Sequence, residues 1–150
     1  PATLPEIAFV GRSNAGKSSL INAITGRTAL ARVSHTPGRT RQINFFNLGA
    51  RVMLVDLPGY GYAKASKTMT DEWNRLITTY LRGRPSLRRV VLLVDSRRGI
   101  MDSDEEVLTL LDQAAMSTLV ALTKTDELKP AELEAMIAVT AAKAARHTAV

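Results

Sequence analysis

Runs of continuous apolar residues alternate with stretches in which apolar residues recur every three or four positions. Ile7-Ala8-Phe9-Val10 is a short unbroken run that stops at Gly11, which predicts a buried strand. Ser18 to Ile24 carries Leu20, Ile21 and Ile24 at helical spacing, and Gly26 closes that helix. Residues 27–41 are polar, contain Pro37-Gly38 and read as a long loop. Gln42–Leu48 and Arg51–Asp56 flank Asn47–Ala50, a hairpin turn containing Gly49. Within the second of these, Val52-Met53-Leu54-Val55 is continuously apolar and predicts a central strand. Leu57 to Met69 is loop-like and rich in Gly, Pro and Lys. Trp73, Leu76, Ile77, Tyr80 and Leu81 then form an amphipathic helical stripe. Val90–Val94 is a third buried strand. Ser103 and Glu106 make a capping-box pattern ahead of Val107, Leu110, Leu111 and Ala114. Leu119–Leu122 is a further strand. Pro130 suits the first turn of a last helix, with Leu133, Met136, Ile137, Thr140, Ala141 and Ala144 on its inner face.

Strands that alternate with helices predict one α/β domain over residues 1–150. Its sheet is mainly parallel, with one antiparallel strand from the hairpin and helices on both faces. No repeat, low-complexity segment or linker interrupts the pattern. In such sheets ligands bind at the carboxyl ends of the strands, so the loops after residues 10, 56, 95 and 123 are expected to share one edge.

Those loops carry the chemistry. Gly11-Arg12-Ser13-Asn14-Ala15-Gly16-Lys17-Ser18 fits G-x-x-x-x-G-K-[ST] in full, after a strand and at the start of a helix. Glycines there let successive N–H groups point at phosphate oxygens, and the helix N-terminus adds partial positive charge. Lys17 is expected to reach the β- and γ-phosphates and Ser18 to place its hydroxyl on Mg²⁺. Asp56 arrives at the same edge, followed by Leu57-Pro58-Gly59. Its carboxylate can hold a Mg²⁺ water and the Gly59 N–H can sense the γ-phosphate. Thr123-Lys124-Thr125-Asp126 reads as [NT]-K-x-D. The Asp126 carboxylate can accept two hydrogen bonds from guanine, at its ring N–H and exocyclic amine, a donor pair that adenine lacks. The Lys124 stem can lie along the base.

The three motifs, in that order, resemble the Ras-like P-loop NTPases, and within them the translation-factor-like GTPases. Gly11–Asn22 (GRSNAGKSSLIN), Pro37–Phe46 (PGRTRQINFF) and Asp56–Ala63 (DLPGYGYA) resemble the EngB family more closely still. The resemblance runs from Leu4 to about Ala141. It implies a bacterial GTPase acting in assembly of the large ribosomal subunit, associated with cell division and septation, monomeric and in contact with rRNA. It also implies that Thr40, within Gly38-Arg39-Thr40-Arg41-Gln42, completes the Mg²⁺ shell when GTP is bound, with Thr36 as the competing position. Lys17, Thr40 and Gly59 are then the catalytic set. Asn14 matches an asparagine of GTPases that use K⁺ as activator. Tyr60 follows Asp56-Leu57-Pro58-Gly59 where Ras-type enzymes carry a water-positioning glutamine, which implies slow intrinsic hydrolysis raised by a partner. A fifth motif beside the guanine, and the strand and helix around it, are implied beyond Asp126. The residues up to Val150 do not supply them.

Composition refines this reading without changing it. An apolar fraction of 45% and a charged fraction of 23% are ordinary for a globular protein. With no cysteine, neither a disulfide scaffold nor a thiolate metal site is possible. No apolar run approaches the ~18 residues of a membrane span, and Pro1–Pro5 lacks the features of a signal peptide, so a cytoplasmic protein is expected. The net charge of +6 and pI near 10.1 favour polyanionic partners, solubility being the plainer explanation. Arg82, Arg84, Arg88, Arg89, Arg97 and Arg98 fall in one short stretch; Arg27, Arg32, Arg39 and Arg41 lie near the phosphate motif.

Other residues read more simply. Trp73 is expected in the core, and His35 and His147 on the surface. Asp102, Asp104, Glu105 and Glu106 suit a helix N-terminus. Tyr60 and Tyr62 are packing residues or partner contacts. The competing functions are an ATPase or nucleotide kinase on the same loop, and a nucleotide-dependent RNA-binding module without turnover.

Overall fold

The continuous apolar runs become the strands of a single sheet in the computed structural model, which describes residues 4–26, 43–61 and 67–150. β1 (Glu6–Gly11), β2 (Asn44–Leu48), β3 (Val52–Asp56), β4 (Leu87–Asp95) and β5 (Thr118–Thr123) lie in the order β2-β3-β1-β4-β5. β1 pairs in parallel with β3 and β4, and β4 in parallel with β5. Only β2 is antiparallel, to β3. The expected mainly parallel sheet with one antiparallel strand is borne out. The helices are α1 (Lys17–Thr25), α2 (Lys67–Gly83), α3 (Asp102–Gln113) and α4 (Pro130–Ala144), with a 3₁₀ turn at Thr125–Glu127.

Alternation along each strand splits the core into two layers. Ala8, Val10, Val55, Leu92 and Val94 face α2 and α3, where Trp73, Ile77, Tyr80, Leu108 and Leu111 close over them. Phe9, Leu54, Val91 and Leu93 face the other way, against Ile21 of α1. The sheet is therefore covered on both faces, which is why its inner strands carry no polar alternation. Trp73 is in the core, 4% exposed, and its indole N–H donates to the Pro58 carbonyl at 2.8 Å. The hairpin turn is tight because Gly49 and Ala50 both adopt positive φ, 62° and 56°. The Asn47 side chain accepts the Ala50 N–H at 2.8 Å, which holds the alanine in that conformation.

Several expectations need correction. β4 begins at Leu87, not Val90, because Glu6 and Ile7 of β1 pair with Leu87 and Arg89 and so carry the ladder through the two arginines. α3 begins at Asp102, so Ser103 lies inside its first turn. Its cap comes from Asp104, whose Oδ2 accepts the Met101 N–H at 2.9 Å. On α4 the inner row is Leu133, Met136, Thr140 and Ala144, whereas Ile137 is 52% exposed and Ala141 is exposed. The helix lies with Met136 against Gly99 and the Lys143 ammonium donating to the Ile100 carbonyl at 3.1 Å, which turns Ile137 outward. Finally, the arginines of 82–98 do not form one patch. Arg82, Arg84, Arg88 and Arg89 lie where β4 enters the sheet, and Arg97 and Arg98 where it leaves, roughly 25 Å away.

His147 is not a surface residue either. Its ring lies between two carboxylates of α3, with Nδ1 2.6 Å from Asp112 and Nε2 2.7 Å from Glu105. The side chain is only 12% exposed. Burial alone would lower its pKa, but the hydrogen bonds and charges of Asp112 and Glu105 raise it above the usual histidine value. Asp112 moves the other way: burial would raise it, but His147 and the Ala149 N–H hold it below the usual carboxylate range. The clamp's contribution is thus complete between the ordinary aspartate and histidine pKa values. It is lost as pH rises through the raised histidine value and as pH falls through the depressed aspartate value. Urea unfolding at pH 6 is expected to show His147→Ala destabilised by about 2 kcal/mol, the scale of hydrogen bonds to charged groups. The gap should shrink by pH 9.

Candidate functional site

β1, β3, β4 and β5 all end at one edge, and their loops meet there. The turn from β1 into α1 is shaped by three residues. Asn14 and Gly16 take positive φ, 68° and 94°, and Gly11 packs so closely on β4 that a Cβ would stand 2.9 Å from the Leu93 carbonyl oxygen. The chain thus curls over the helix start. Among the described residues, the N–H groups of Asn14, Gly16, Lys17 and Ser18 find no acceptor, whereas that of Ser13 is spent on the Tyr60 carbonyl at 2.8 Å. Unsatisfied donors at a helix N-terminus suit an anion.

Asp56 ends β3 beneath this loop, 4% exposed, and its carboxylate is ion-paired with the Lys17 ammonium. Each group is thereby neutralised in a site that is largely closed to water. An incoming phosphate must compete with Asp56 for Lys17. The loop after Asp56 continues along the phosphate motif: the Tyr60 N–H donates to the Gly11 carbonyl at 3.4 Å, and the Gly59 Cα faces the Ser13 side chain and the Gly11 carbonyl.

The 123–126 segment is tied to the same turn. The Thr123 hydroxyl donates to the Ala15 carbonyl at 2.6 Å, and the Lys124 ammonium to the Asn14 carbonyl at 2.8 Å. Lys124 takes positive φ, 58°, and is steadied by Asp95 at 3.8 Å. Asp95 is the better fixed of the two. Arg97 makes two side-chain hydrogen bonds to it and holds its carboxyl down to about 2. Asp126 sits exposed in the 3₁₀ turn with Thr125. Gly11 to Ser18, Asp56 to Gly59 and Thr123 to Asp126 are thus brought to one edge. Thr36, Gly38, Arg39, Thr40, Arg41, Gln42, His35 and Tyr62 lie outside the described residues.

Two contacts were not anticipated. Tyr60 is buried, 7% exposed. Its ring meets Trp73 edge-on at 5.1 Å and its hydroxyl donates to Asp104, itself 1% exposed. Burial, then the neighbouring carboxylate, push the Tyr60 phenol well above its usual value, and burial raises Asp104. Asp104 therefore does more than favour a helix N-terminus. Arg12 likewise bridges the Ser103 hydroxyl and the Gly61 carbonyl, the latter at 3.2 Å. Partners 44 and 91 residues apart leave no local pattern in the sequence. A cavity of about 260 Å³ lies between this turn and the β4–α3 loop, lined by Arg12, Asn14, Asp95, Arg98, Met101 and Lys124 among others.

Comparison with known proteins places this geometry. Residues 6–124 match the family described as 50S ribosome-binding GTPase. The chain is 56% identical to the probable GTP-binding protein EngB of Rhodospirillum rubrum, over 97% of this chain and 65% of that one. It is 59% identical to the Hyphomonas neptunium protein of the same name, over 91% of this chain and 64% of the other. The chain belongs to the EngB family. It spans just under two thirds of the length of these relatives. The crystal structure of a probable EngB, 28% identical, superposes with a TM-score of 0.71 over 90% of this chain and 79% of that one. In this chain's DLPGYGYA run the first tyrosine is a packing residue, since the Tyr60 phenol is occupied by Asp104. Tyr60→Phe leaves Oδ1 of that buried carboxyl without its donor and is expected to cost about 1–3 kcal/mol in chemical denaturation.

Proposed function

We propose that the chain binds GTP and GDP with Mg²⁺ at this edge and hydrolyses GTP slowly. The observation that carries the reading is the stitching of the 123–126 segment onto the phosphate turn through Thr123 and Lys124. It supports a base and a phosphate chain being read as one ligand. The unpaired amides of Asn14, Gly16, Lys17 and Ser18 are suited to the phosphates and Asp126 to the guanine edge.

The donors suit a hard cation. The Ser18 hydroxyl is exposed in the first turn and Asp56 offers a buried carboxylate. Among the described residues no group of three or more His, Asp or Glu side chains forms a metal cage, in keeping with an ion shared with phosphate oxygens. Ser18 would hold Mg²⁺ directly, Asp56 through water, and Thr40 would close the shell. When bound, the ion offsets charge that develops on the phosphate oxygens. Lys17 leaves Asp56 for the β- and γ-phosphates, and the Gly59 amide meets the γ-phosphate. The Tyr60 side chain, spent on Asp104, cannot orient the attacking water, so hydrolysis is slow until a partner or a K⁺ near Asn14 contributes charge.

The partner proposed is the large ribosomal subunit, with the chain as a monomeric cytoplasmic switch in its assembly and, through that, in cell division. The family's printed description and the basic charge support this reading. No described helix is long and apolar enough to cross a membrane.

Competition against labelled GDP tests the base. GTP is expected to compete at least a hundredfold better than ATP, and Asp126→Asn to exchange guanine for xanthine preference; equal competition by ATP would overturn the reading. Single-turnover GTP hydrolysis is expected to rise with large subunits present and to be faster in K⁺ than in Na⁺. A fast ribosome-independent rate would remove the need for a partner, and equal rates in the two salts would remove the K⁺.

A further inference from the structure

The sheet has a second charged end. Opposite the carboxyl edge lie the β2–β3 turn, the α2–β4 connection and the start of β4. They bring together Arg51, Arg82, Arg84, Arg88 and Arg89. The Met53 N–H donates to the Pro5 carbonyl and the Glu6 N–H to the Ser86 carbonyl, both at 2.9 Å, so these segments are bound to one another through the first residues of β1. Arg51, Arg82, Arg88 and Arg89 are exposed.

Their charge is not neutralised. Of the chain's 14 acidic residues, the elements carry only Glu6 and Asp112 to this end. Glu6 is 1% exposed and taken by Arg84, Tyr80 and Ser86. Asp112 is taken by His147 and the Ala149 N–H. Among the described residues Arg51, Arg82, Arg88 and Arg89 pair with no carboxylate. By contrast, Arg97 at the opposite end is held by Asp95 and Glu127. Arg88 sits at a shift of register between β1 and β4, and both Arg88 and Arg89 stay exposed on an otherwise largely buried strand. On edge strand β2, three strands from β4, Phe45 is 41% exposed and carries the Arg84 guanidinium 4.9 Å from its ring centroid. No lysine is present in these segments. Arginine forks onto phosphate oxygens and stacks on bases, and an exposed aromatic beside it offers a base a π-face.

The structure assigns to this end a docking surface for RNA. Arg51, Arg82, Arg88 and Arg89 contact the phosphate backbone, and Phe45 with Arg84 supports an unstacked base. The choice of RNA among polyanions rests on the ribosomal reading above; the surface itself does not. The nucleotide edge and the RNA end are separated by the length of β4, so each can be probed without disturbing the other.

The probe is deproteinised large-subunit rRNA, labelled and titrated at several salt concentrations. Two doubles remove the same charge: Arg88→Glu with Arg89→Glu at this end, and Arg75→Glu with Lys129→Glu elsewhere. The first is expected to weaken binding at least tenfold and the second no more than threefold, with GDP affinity unchanged in both. Arg51→Glu with Arg82→Glu, one in the hairpin turn and one in the last turn of α2, repeats the test should the strand double lose GDP binding as well. Adding it to the first double should lower the salt slope by about 3, four phosphate contacts at roughly 0.7 each. Equal losses in the two control-matched doubles, or competition by heparin or phosphatidylglycerol vesicles as strong as by unlabelled rRNA, would overturn the assignment. Failure of the wild type to bind GDP, with the arginine dependence intact, would overturn the proposed function and leave this surface standing.

Discussion

Everything at the carboxyl edge depends on β1 being paired in parallel on both sides. Four rungs to β3 and six to β4 set the heights at which Gly11, Asp56 and Asp95 leave the sheet. The pairing of Asp95 with Thr123 then fixes the height of the last loop. A slip of one residue would turn every side chain of β1 to the other face, trading Ala8 and Val10 for Phe9 in a core of different volume. The two packed layers therefore lock the register, and the register places the loops. Gly11 transmits this most directly, since its missing Cβ lets the phosphate turn lie on the Leu93 backbone.

Charge is distributed in keeping with that arrangement. At the carboxyl edge cations and carboxylates neutralise one another: Lys17 with Asp56, Lys124 and Arg97 with Asp95. Under the proposed function such pairs would be exchanged for phosphate and metal, each residue meeting in the ligand a group of the same sign as the partner it gives up. Buried contacts then couple the edge to its surroundings. Tyr60 on Asp104, Trp73 on Pro58 and Arg12 on Ser103 fasten the segment after Asp56 to α2, α3 and the phosphate turn. Any movement of Gly59 toward a ligand must therefore be felt at the N-terminus of α3.

Much of this was legible in the sequence, because the relevant signals are local. An apolar run ending in glycine, followed by a lysine and a helical stripe, specifies strand, turn and helix within a few residues of chain. The stripe of α2 predicted the burial of Trp73 for the same reason. What stayed hidden depends on partners distant in sequence. Ser103 looked like a cap until Arg12 claimed it, and Asp104 became the cap in its place. His147 looked exposed because its two carboxylates lie 42 and 35 residues away on another helix. The arginines of 82–98 looked like one patch because sequence distance does not show that a nine-residue strand stands between them.

Under the proposed function, three separate loops form one guanine-nucleotide site. Titration of the ¹⁵N-labelled chain with Mg²⁺-GDP, followed by amide chemical shifts, tests it most directly. The largest shifts are expected at residues 11–18, 56–60 and 123–126, saturating together with one dissociation constant. Shifts confined to the phosphate turn, with 123–126 unmoved, or separate saturation of the three segments, would contradict it.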